Sequence, residues 1–76
     1  MTVTSVFFKE AITWPATQYS GVVSMDIGKP GLREMYIADD NSGVFIKFEN
    51  KVGQYTTFVP MANIKCVNLA EDVLGE

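Results

Sequence analysis

Residues 33–69, REMYIADDNSGVFIKFENKVGQYTTFVPMANIKCVNL, alternate short apolar-rich runs with compact turn signals at near-equal spacing. Short, evenly spaced strands joined by Asn/Gly turns pair with their chain neighbours, so this stretch predicts an antiparallel meander curling towards a small barrel. Residues 35–39 and 44–48 are expected to form a hairpin through DNSG, residues 40–43, with Gly43 in the left-handed conformation that glycine adopts most cheaply. That register sets Met35 opposite Phe48, Ile37 opposite Ile46 and Asp39 opposite Val44 on one face, with Tyr36 and Lys47, and Ala38 and Phe45, on the other. A three-residue loop with a bulge at Gly43 is the competitor and would carry Tyr36 to the side of Ile46 and Phe48. The first register is preferred because it keeps Met35 and Ile37 away from Lys47.

The next turn, NKVG at residues 50–53, sets residues 54–59 opposite residues 44–49. Tyr55, Thr57 and Val59 then continue the inner face, while Gln54, Thr56 and Phe58 stand beside Glu49, Lys47 and Phe45 on the outer one. The expected outer row is therefore Ala38, Phe45 and Phe58, on the face that also carries Lys47 and Glu49. Pro60 ends that strand, residues 61–63 suit a tight or 3₁₀ turn, and Ile64, Cys66 and Asn68 alternate with Lys65, Val67 and Leu69 in a last strand.

Upstream, residues 2–8 are β-branched and aromatic and predict a first strand. Residues 10–20, EAITWPATQYS, read as an aromatic-bearing loop, because Pro15 restricts Trp14 and removes a sheet donor. Residues 21–27 alternate again, and GKPG at residues 28–31 turns the chain, with Gly31 suited to positive φ. Residues 21–69 thus form the meander, and residues 70–76 an acidic tail, of a single domain spanning residues 1–76. The expected fold is all-β: a small, partly open barrel of five to six short strands.

A domain of 76 residues buries only about 60% of the surface its unfolded chain exposes, yet 47% of these residues are hydrophobic. The excess predicts self-association to a dimer or higher oligomer. A net charge of −3 and six scattered basic residues argue against binding nucleic acid by phosphate neutralisation. One cysteine cannot form an internal disulfide, and the N-terminal sequence has neither the basic start nor the apolar length of a signal peptide. A cytoplasmic protein without a membrane span is expected.

FVPMANIKCV, residues 58–67, resembles the end of an SH3-type barrel, where an aliphatic-Pro pair leads through a 3₁₀ turn containing Asn into the last strand. Here those residues are Val59, Pro60, Asn63 and Ile64. The Asn stands one place later than in the SH3 pattern, and the aromatic motif that opens SH3 domains is absent. The resemblance implies the barrel and carries no expectation of proline-rich ligands. Short, acidic, single-domain chains of this style also resemble accessory proteins encoded by bacteriophages.

The sequence contains no His, which removes the usual general base and the commonest metal ligand. Cys66 has no visible partner base and is expected as a small core residue. Asp39, Asp40 and Asn41 are spaced poorly for Ca²⁺ or Mg²⁺ and better suited to bonding their own turn. No enzyme activity, cofactor or metal is expected. The nine aromatic residues, five Phe, three Tyr and one Trp, carry the functional signal. An aromatic patch rimmed by charge is what interface centres contain, so the expectation is a protein-binding module, of an accessory or inhibitor kind, acting through Trp14, Tyr36, Phe45, Lys47, Glu49 and Phe58. A single-stranded nucleic-acid binder using the same aromatics with Lys47, Lys51 and Lys65 is the alternative, as is a structural subunit of a larger assembly. Phe7, Phe8 or Trp14 folding over Phe45 and Phe58 would instead make that patch a second small core.

Overall fold

A computed structural model describes residues 2–70, in which period-two alternation is carried by six strands. They are β1 Val3–Ile12, β2 Val22–Asp26, β3 Leu32–Ile37, β4 Gly43–Glu49, β5 Gln54–Pro60 and β6 Ile64–Leu69, with a 3₁₀ turn at Met61–Asn63. Two antiparallel sheets result, in the orders β2-β1-β6 and β3-β4-β5. They do not close fully: between them, one isolated bridge pairs Thr2 with Tyr36. The architecture is all-β and consistent with a small, partly open barrel. The expected acidic tail, beyond Ala70, lies outside the described residues.

The meander is confined to β3, β4 and β5, not spread over residues 21–69. β2 pairs with β1 and not with β3, and β6 pairs with β1 and not with β5. β1 is long enough to serve both, extending to Ile12 into the expected loop. The turn before β3 passes the chain from one sheet to the other: Lys29 N–H donates to the Asp26 carbonyl, Leu32 N–H donates to the Lys29 carbonyl, and Gly31 takes φ 83°.

Val3, Val6 and Phe8 are all buried, which a strict alternation from Val3 cannot achieve. The register against β6 slips between Val3 and Ser5, where an extra β1 residue brings Val3 into phase with Val6 and Phe8, and again between Phe7 and Phe8, where the extra residue is on β6. The second slip brings Ile64 opposite Phe8 and into the core, while Cys66 pairs with Phe7 and is exposed. Cys66 is therefore a surface residue, contrary to its expected place in the core.

The β3–β4 hairpin keeps the expected faces but not the expected pairs. Met35 lies opposite Ile46, Tyr36 opposite Phe45 and Ile37 opposite Val44, two places from the register read off DNSG. The loop is instead DDNS, closed by Ala38 N–H donating to the Gly43 carbonyl at 2.9 Å. Its left-handed residue is Asn41, at φ 61°, not Gly43. Gly43 serves another purpose. A Cβ there would fall within contact distance of the Val59 carbonyl oxygen and 2.5 Å from Phe58 Cζ, so the missing side chain lets β5 and the Phe58 ring close over β4. A shift of two residues moves nothing from one face to the other, so hydrophobic patterning alone could not detect it.

Met25 from one sheet meets Met35, Val44, Ile46, Phe48 and Val59 from the other in a single core cluster. Trp14 joins this cluster, 7% exposed, from the loop after β1. There the Trp14–Thr17 turn holds Pro15 at its second position, closed by Thr17 N–H to the Trp14 carbonyl at 2.9 Å, and Trp14 N–H donates to the Tyr19 carbonyl. The Thr17 hydroxyl also bonds the Trp14 carbonyl and accepts from Tyr19 N–H. Trp14 packs edge-on against Phe8, 5.9 Å between centroids, and 5.1 Å from Phe48.

Two glycines separate a position with no room for a side chain from one with room. Gly43→Ala is expected to destabilise the fold by about 2–3 kcal/mol, because the obstacle includes backbone that cannot step aside. Gly53, which has nothing within 4 Å of an added Cβ, should accept Ala with a change of about 0.5 kcal/mol or less. Urea unfolding of both variants beside wild type measures the difference.

Candidate functional site

The outer face of β3-β4-β5 is organised by the β4–β5 ladder, whose register runs without interruption from Gly43 opposite Pro60 to Glu49 opposite Gln54. This is the pairing expected from NKVG. Met61 N–H donates to the Ser42 carbonyl at one end and Asn50 N–H to the Gly53 carbonyl at the other. In an antiparallel ladder hydrogen-bonded and non-hydrogen-bonded pairs alternate, so both ends place Phe45 with Phe58, Lys47 with Thr56 and Glu49 with Gln54 in the close, non-hydrogen-bonded class. Their side chains are accordingly near one another.

Phe45 and Phe58 have centroids 5.0 Å apart, and Tyr36 stacks on the other side of Phe45 at 5.3 Å. The three rings form a row across three strands. Tyr36 holds the position expected for Ala38, which is buried beside the loop. Phe45 and Tyr36 are half-buried and Phe58 is 41% exposed. The N-terminal aromatics do not cover the row: Phe8 and Trp14 lie in the core with Phe48, and Phe7 pairs with Ser24 and Cys66 in the other sheet. Trp14 is thus no part of this face, contrary to its expected role as an anchor. The turn built on Pro15 and Thr17 returns it to the core, where a large ring gains more from desolvation than on a half-open surface.

Beside the aromatic row runs a charged one. Lys47 Nζ lies 3.4 Å from a Glu34 carboxylate oxygen and 5.6 Å from the Tyr36 ring centroid. Glu49 lies one step further along β4, 3.5 Å from Arg33, and accepts from the Gln54 side-chain amide. Each charge on this part of the face has an opposite neighbour. Glu34 shares the parity of Tyr36 and so lies on this face in either register; the two-residue shift is what sets it opposite Lys47.

Lys47 and Lys65 do not converge, since β4 and β6 belong to different sheets. Asp40 caps its own loop: the Ser42 hydroxyl and N–H hold its carboxyl below the usual aspartate value, and the Ser42 N–H lies 3.0 Å from Oδ1. Among the described residues no group of three or more His, Cys, Asp and Glu side chains is placed to hold a metal ion, and no helix is long and apolar enough to cross a membrane. A shallow groove of about 290 Å³ lies at the Glu49 end of the sheet, between Tyr19, Pro30, Phe48 and Asn50. The Tyr19 hydroxyl donates to the Pro30 carbonyl across it and so spends its one proton on the scaffold.

Phe45 and Phe48 test the two faces of one strand. Phe45→Ser should leave a folded domain, destabilised by about 1–2 kcal/mol from lost cross-strand contacts. Phe48→Ala should cost about 3–5 kcal/mol, a large part of the stability of so small a domain. Thermal melts of the two variants give the ranking. No protein-family model, curated protein or solved structure matches this chain.

Proposed function

We propose that this chain is a non-enzymatic protein-binding module whose partner docks on the Tyr36–Phe45–Phe58 row, as a small accessory or inhibitor protein would. The observation that carries this reading is the row itself: three contacting rings on a rigid, uninterrupted ladder, left uncovered by the rest of the described chain. Aromatic side chains lose few rotamers on binding and are enriched at interface centres. Lys47 and Glu49, each already beside an opposite charge, orient the partner at the rim while adding little net field.

The same geometry supports protein over single-stranded nucleic acid. Stacking platforms for bases work with cations that track the phosphates, whereas the cation beside this row faces Glu34. A fluorescence titration with single-stranded DNA or RNA is expected to show no binding tighter than about 10⁻⁵ M at physiological salt. Nanomolar affinity would reverse this choice.

Affinity capture from extracts of the native host tests the protein reading directly. Immobilised wild type should retain a partner that Phe45→Ser and Phe58→Ser, both shown to be folded, release. Equal retention by wild type and both variants would remove the row from the interface.

A further inference from the structure

The free edge of β5 differs in chemistry from the aromatic face. β5 is the outer strand of its sheet. The alternation that pairs Tyr55, Thr57 and Val59 with β4 turns the N–H and C=O groups of Gln54, Thr56 and Phe58 outward. Among the described residues no other backbone bond reaches those three. Proteins usually protect such an edge with a charge, an internal proline or a bulge. Residues 54–59, QYTTFV, contain no charge and no proline, and their register against β4 has no bulge. The other edges differ: β2 carries Asp26, β6 carries Lys65, and β3 carries Arg33 and Glu34 and is bridged at Tyr36 by Thr2.

We infer that β5 pairs antiparallel with β5 of a second copy of this chain about a twofold axis at Thr56, joining two three-stranded sheets into one of six. The strand is self-complementary in that register. Thr56 meets Thr56, and Gln54 of each copy meets Phe58 of the other. Every outward N–H of the three residues then finds an outward carbonyl, and no like charges meet. The usable edge is symmetric about the same residue, bounded by Pro60, which has no N–H to donate, and by the 50–53 turn. A twofold uses both edges at once, so assembly through β5 stops at two chains. The aromatic row becomes continuous with the Gln54 and Glu49 rim of the second copy.

This dimer does not depend on partner capture by the aromatic row, so Phe45→Ser should dimerise as wild type does. Sedimentation equilibrium under reducing conditions, from about 10 µM to about 1 mM chain, covers the range expected for a small interface. Wild type should approach twice the 8.4 kDa chain mass. Thr56→Pro removes an N–H that β4 does not use, and Thr56→Glu sets an attractive charge across from Lys47 within the chain but two repelling charges at the axis. Both should sediment as monomers. Amide exchange on wild type supplies a readout that needs no variant: Tyr55, Thr57 and Val59 should be protected at all concentrations. Gln54, Thr56 and Phe58 should slow at least about tenfold only as the dimer forms. A wild-type monomer across the whole range, or dimerisation with fast exchange at those three amides, would overturn the inference. So would an undiminished dimer in both variants.

Discussion

The structure depends on the two-sidedness of β4, the central strand of its sheet. Val44, Ile46 and Phe48 are removed almost wholly from water, and each full burial of this kind is worth about 1.5–3 kcal/mol. Because successive residues of a strand point to opposite faces, that burial forces Phe45, Lys47 and Glu49 to the other side. The site is thus the complement of the core, since sliding the strand by one residue to hide Phe45 would expose the three residues that hold the two sheets together. Few arrangements fix a surface aromatic more firmly than a strand whose opposite face cannot move.

Around that strand the chain departs from regularity wherever regularity would waste a large side chain. The slip in the β1–β6 register between Val3 and Ser5 brings Val3 into phase with Val6 and Phe8, and the turn at Pro15 returns Trp14 to the core between Phe8 and Phe48. Gly43 is the converse case, a position where a side chain would push β5 and Phe58 off β4. In each case a local irregularity costs less than the apolar contact it secures.

The charges near the row are arranged in pairs. Lys47 with Glu34 and Arg33 with Glu49 are exposed contacts worth at most about 1 kcal/mol each, so they matter little to stability. In the proposed interface they flank an apolar centre with a rim of locally balanced charge, which suits a protein surface better than a polyanion.

The all-β class, the β4–β5 register, a short turn at residues 61–63 and the placement of Tyr36, Phe45, Lys47, Glu49 and Phe58 on one face were legible in the sequence. Those features follow from local rules, since strand alternation and a short turn leave little freedom between adjacent strands. Tertiary contacts were needed to show that β2 and β6 flank β1, that Trp14 is core, that Cys66 is surface and that Tyr36 completes the row. The first three rest on contacts between residues distant in sequence, or on register slips that leave no mark in local composition. The last rests on a shift of two residues, which preserves every hydrophobic face and goes with a loop that closes from Ala38 N–H to the Gly43 carbonyl with Asn41 in the left-handed conformation.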